Sequence, residues 1–167
     1  MTTNTSNTAG MKALLELYDL HSKLFLNVLD GISEPDAQNR LNTKANHLSW
    51  IAGSLVQQTF VYANALGVAG KQTSHELFAN GKGIQDGASY PPLDEYRTDW
   101  KAVRNDLRTA LADATEEQLA GPDPFGMPGG QYTFFEVFGF GVHREAYCIG
   151  QIALYRRLLG YDAMKYE

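Results

Sequence analysis

The sequence holds a single cysteine, Cys148, in 167 residues. One thiol excludes an internal disulfide framework and agrees with a reducing compartment. No apolar stretch approaches the roughly 20 residues that span a bilayer. The nearest, residues 134–142, runs directly into His143, Arg144 and Glu145. Positive charge is scarce: 14 Lys and Arg stand against 19 Asp and Glu, a net charge of -5. Without a basic run to neutralise phosphates, nucleic-acid binding is not expected. Residues 1–10 are mostly Thr, Asn and Ser, with neither the basic start nor the apolar stretch of a secretion signal, and read as a flexible arm. A cytoplasmic protein with no membrane attachment is expected. There is also no Cys-x-x-Cys pair and no nucleophile–base–acid set at recognisable spacing. Gly126, Gly129 and Gly130 read as turn glycines and not as a phosphate-binding loop.

What is present is helical periodicity, in a chain long enough for one substantial core. Residues 11–32 carry Leu14, Leu17, Tyr18, His21, Leu24, Phe25 and Val28 at steps of three and four. Gly31 and then Ser33-Glu34-Pro35 mark the end of that helix. A second helix is expected over 43–66 and a third over 93–114, the latter with Trp100, Val103, Leu107 and Leu111 in register. Between them, 68–93 contains Gly70, Gly81, Gly83, Gly87 and Pro91-Pro92, and reads as a long crossover. A second Gly- and Pro-rich loop occupies 121–130. The fourth helix, 133–159, opens on Thr133 with Glu136 three residues later, a capping-box pattern, and stops at Gly160. Its first half is apolar nearly all round, which suits a central position. Apart from short ambiguous runs, period-two alternation is missing. The expected fold is therefore all-α, a four-helix bundle with a long crossover between helices two and three, formed by one domain over 11–167.

Two helices combine polar residues with helical spacing. His47, Trp50, Ser54, Gln57 and Val61 follow one another at steps of three or four in the second. Arg144, Cys148, Gln151 and Tyr155 do so in the fourth. Each set forms a seam on one face. Facing seams would line one pocket between helices, a usual place for a bundle's ligand site.

The run Asn46-His47-Leu48-Ser49-Trp50-Ile51-Ala52-Gly53-Ser54-Leu55 resembles the second-helix pattern of the DinB-like (damage-inducible) superfamily. So do Glu145-Ala146-Tyr147-Cys148-Ile149-Gly150-Gln151-Ile152 and Arg156-Arg157-Leu158-Leu159-Gly160. The resemblance implies a four-helix bundle, a homodimer, and a divalent metal on three histidines, one from helix two and two from helix four. Carried over by motif, those positions are Ser54, Arg144 and Cys148, none of them histidine. A zinc-type ion needs neutral imidazole, thiolate or carboxylate donors, and a guanidinium has no lone pair to give. His143, one residue from Arg144, points about 100° away around the helix.

The bland readings are that Cys148 is a small buried apolar residue, that His47 bonds near a helix start, and that His21 is a core histidine. His75, in the crossover, reads as solvated. Arg144 either pairs with a carboxylate on a neighbouring helix or snorkels outward, or else it replaces the lost metal charge and holds an anionic group. The preferred expectation is a metal-free protein binding a small anionic molecule at His47, Trp50, Ser54, Arg144, Cys148 and Gln151, with no cofactor. Two alternatives stand beside it. One is a metal- or thiol-dependent transferase or isomerase of the DinB-like type, in which Arg144 lowers the pKa of Cys148. The other is a non-catalytic interaction protein with a vestigial pocket.

Overall fold

The computed structural model describes residues 5–167. The chain is helical, and among the described residues the only extended pairing is an isolated bridge between Pro122 and Thr133. Helix α1 (Thr5–Val28) buries Met11, Tyr18, His21, Leu24, Phe25 and Val28 along one face. It starts earlier than expected, so residues 5–10, read from sequence as part of an arm, are helical. Residues 1–4 of that arm lie outside the described residues. Leu17, placed on the apolar stripe by spacing, is instead 45% exposed.

A short helix α2 (Glu34–Ala37) follows, with the Ser33 hydroxyl accepting from the Asp36 amide. The next long helix, α3 (Leu48–Ala65), begins five residues after the expected start. Arg40 accounts for the delay. Its guanidinium donates to the Lys44 and Ala45 carbonyls at 2.7 and 2.8 Å and to the Asp86 carboxylate at 2.8 Å. Leu41 and Asn42 take positive φ values of 53° and 56° beside it, a left-handed conformation that ends any helix. His47 then caps α3: its ring Nδ1 accepts the Trp50 amide at 3.0 Å.

Helix α4 (Leu93–Ala112) is amphipathic, burying Leu93, Tyr96, Trp100, Val103, Arg104, Leu107 and Leu111 at steps of three and four. A one-turn helix α5 (Glu116–Leu119) leads to α6 (Phe134–Leu158). Thr133 and Glu136 close the expected capping box on α6. At its far end Gly160 takes φ 89°, letting the Tyr161 amide bond back to the Arg156 carbonyl at 2.9 Å. Helix α1 packs on α4 and α6, and α3 packs on the same two, so the four long helices enclose one core. Within it Phe25 stacks on Trp100 at 4.0 Å. Among the described residues no helix is long and apolar enough to cross a membrane.

Candidate functional site

The polar seam of α3 faces α6 across a cleft of about 1160 Å³. Trp50, Ser54, Gln57, Gln58 and Val61 come from α3, and Val137, Phe140, Gly141 and Arg144 from α6. The crossover supplies the roof through His75 and Glu76, in the short 3₁₀ turn His75–Leu77, and through Phe78 and Lys82, which flank a second such turn, Ala79–Gly81. Pro124, Phe125 and Met127 from the second loop form a side wall. The irregular segments are thus walls of the cleft as well as connections.

Two helical glycines shape it. At Gly53 a Cβ would fall inside the Phe78 and Tyr96 rings, so the missing side chain is what lets the roof settle on α3. At Gly141 a Cβ would overlap Tyr62, whose hydroxyl donates to the Val137 carbonyl at 2.7 Å.

Arg144 is half-buried in the cleft, and His143, one residue before it, is exposed and does not line the cleft. The guanidinium donates to Ser54 Oγ at 3.0 Å and to Gln58 Oε1 at 3.1 Å. Gln58 is held in turn, donating from Nε2 to the Gly141 carbonyl at 3.3 Å. None of the ion pairs among the described residues involves Arg144. Its charge therefore meets only neutral partners. The structure thus brings Trp50, Ser54 and Arg144 together in one cavity.

The other expected residues lie elsewhere. His47 is buried at the α3 cap, edge-on to Tyr90 at 4.7 Å. Burial, and secondarily Arg40, push its pKa down. Cys148 is 6% exposed in the core. Burial pushes its thiol pKa up, against the lowering effect of Arg144, which is the opposite of what a reactive thiolate needs. Gln151 is half-buried and does not line the cleft.

The divalent metal that the resemblance implies does not fit these residues. Of the three carried-over positions, Arg144 is a cation that donates to Ser54, and Cys148 lies in the core with a raised pKa. Among the described residues no three His, Cys, Asp or Glu converge to hold an ion.

Two features escaped the sequence reading. His75, expected in solvent, is half-buried in the cleft roof, with Nδ1 3.1 Å from Gln57 Oε1. The second is a charged cluster behind α6. Glu145 is 2% exposed and pairs with Arg104 of α4 at 2.5 Å and with His21 of α1 at 3.2 Å. Burial alone would raise the Glu145 pKa, but Arg104 and His21 hold it below the ordinary range. Arg104 also donates to Ser22 Oγ and to the Tyr18 carbonyl, with its guanidinium 3.3 Å over the Tyr18 ring. Consecutive residues of α6 thus point one charge into a compensated core and the other into an open cleft.

No protein-family model matches the chain, and no curated protein matches its sequence.

Proposed function

We propose that this protein binds a small amphipathic anion in the cleft between α3 and α6, with Arg144 as the anchor and without a metal. The observation that carries the reading is the placement of Arg144: half-buried, held by Ser54 and Gln58, and outside every ion pair among the described residues. A guanidinium in that setting gains most from a carboxylate or phosphate, which it can bind through two parallel bonds. Phe78, Phe125, Met127 and Phe140 also line the cleft, so the ligand has an apolar body and one anionic end.

The reading includes the architecture. The four long helices form a divergent DinB-like bundle whose long crossover has become a cleft roof, and the guanidinium stands where the resemblance places a histidine. It also includes a homodimer. Tyr147, Leu154 and Leu158 on α6 are 64%, 59% and 60% exposed, and with Phe140 they recur at steps of seven and four along one side of the helix. Such a stripe suits a second helix.

Trp50 lines the cleft while Trp100 is stacked in the core, so tryptophan fluorescence reports on occupancy. Titration with arylalkyl carboxylates is expected to quench the wild-type signal saturably and to leave Arg144→Gln unchanged. Equal quenching of both proteins contradicts the reading, as does stoichiometric metal in protein purified without an affinity tag.

A further inference from the structure

Accepting the anion-binding reading above, we infer that His75 presents a bare Nε2 acceptor to the cleft, so that the ligand carries a hydroxyl-type hydrogen-bond donor besides its anionic end. The inference follows from a chain of hydrogen bonds whose direction is fixed at one end. Gln72 is fully buried, and its Nε2 lies 3.2 Å from the Gly53 carbonyl. A carbonyl oxygen only accepts, so the nitrogen end of the Gln72 amide faces it. The same Nε2 lies 2.9 Å from the Gln57 side chain, which must present its oxygen there. That oxygen, Gln57 Oε1, is also the atom 3.1 Å from His75 Nδ1. His75 Nδ1 must therefore carry the proton, and in the neutral ring Nε2 is left with a lone pair.

Nε2 has no hydrogen-bond partner among the described residues, and it is not one of their buried unpartnered atoms. Because His75 lines the cleft, the free nitrogen is open to a ligand. A buried backbone carbonyl on α3 thus sets, two side chains away, the polarity of a group in the roof. The donor that suits it is neutral. The cleft's ionic groups are Arg144, Lys82 and Glu76, two cations to one carboxylate, so an ammonium is disfavoured beside them. An aryl hydroxy acid is the simplest molecule with all three features.

The test compares 3-phenylpropionate with its 2-hydroxy and 3-hydroxy forms, read by tryptophan quenching of the full chain. At least one hydroxylated probe is expected to bind roughly fivefold to tenfold tighter than the parent. His75→Phe is expected to remove that advantage, so that its affinities for the three probes no longer differ. An equal response to all three probes, or an advantage that survives in His75→Phe, overturns the His75 inference and leaves Arg144 anchoring intact. Failure of every probe to bind the wild type overturns both. Independently, long-range proton–nitrogen NMR at pH 8 is expected to show His75 protonated at Nδ1. Protonation at Nε2 overturns the inference without touching the anion-binding reading.

Discussion

Arg144 on α6 donates to the Ser54 hydroxyl on α3 at 3.0 Å, and this bond joins the two helices at the wall of an open cleft. Two neutral oxygens satisfy part of the guanidinium fork and leave its charge unmatched. Such a group contributes little to folding and much to recognition. Arg144→Leu is accordingly expected to keep stability within about 1 kcal/mol of wild type, as for a half-buried charge without a counter-ion. Affinity for an arylalkyl carboxylate is expected to fall by roughly tenfold to a hundredfold, the range of a charge-assisted bond. Urea unfolding and fluorescence titration separate the two effects. A large loss of stability with unchanged affinity would mark Arg144 as structural.

The next residue along α6 behaves in the opposite way. Glu145 is 2% exposed and its carboxylate meets Arg104, itself 4% exposed, at 2.5 Å. Glu145→Leu leaves the Arg104 charge buried without compensation and is expected to cost about 3–5 kcal/mol in urea unfolding. The double variant Arg104→Met/Glu145→Leu is expected to recover most of that loss, because it removes the stranded charge as well. A double variant as unstable as the single one would show that shape, and not charge, holds this layer.

The same carboxylate makes stability depend on pH. Its folded pKa lies below the ordinary 4.5, so between the two values the unfolded chain binds more protons than the folded one. Stability then rises with pH in that window. The contribution is complete above about pH 4.5 and is lost as pH falls through the lower folded value. Unfolding measured from pH 7 to pH 3 should therefore show the stability gap between wild type and Glu145→Gln narrowing only below 4.5. A gap that is constant across the series would remove Glu145 as its source.

Much of this was legible in the sequence wherever the signal was local. The spans of α4 and α6 follow from steps of three and four, and Thr133 with Glu136 sets where α6 begins. Helical spacing places Trp50 and Ser54 on one polar seam and Arg144 on another, and the packing of α3 on α6 is what brings the three into one cavity. What stayed hidden depended on contacts between distant segments. The late start of α3 follows from Arg40 reaching Asp86, a residue of the crossover. The Glu145 cluster draws one residue each from α1, α4 and α6, with no common period. Phe125, Phe78 and His75 lie in loops without periodicity, so nothing in their spacing brings them to the cleft.

Cys148 should be a poor nucleophile in the folded protein. It is 6% exposed, and burial raises its pKa despite Arg144 one turn away. Modification by an aromatic disulfide reagent at pH 8 is expected to be slow in buffer and fast in denaturant. Prompt stoichiometric modification of the native protein would return the thiol to consideration as a reacting group.

Gly141 allows a direct test of how the cleft is built. A Cβ at this position would overlap the Tyr62 ring and hydroxyl. Tyr62 cannot easily move aside. Its hydroxyl is tied to the Val137 carbonyl, and its ring meets the edges or faces of Phe125, Phe134 and Phe138 at 5.1, 5.9 and 5.4 Å. Gly141→Ala should thus cost about 1–3 kcal/mol, as overpacking does, and should push Tyr62 against the Phe125 wall and weaken carboxylate binding. Gly150 on the same helix is the control, since a Cβ there meets nothing within 4 Å. Gly150→Ala should gain up to about 1 kcal/mol from helix propensity alone and leave binding unchanged. Opposite signs for the two substitutions, measured by thermal unfolding and fluorescence titration, are the expected result; equal effects would mean that Tyr62 yields and that Gly141 does not shape the cavity.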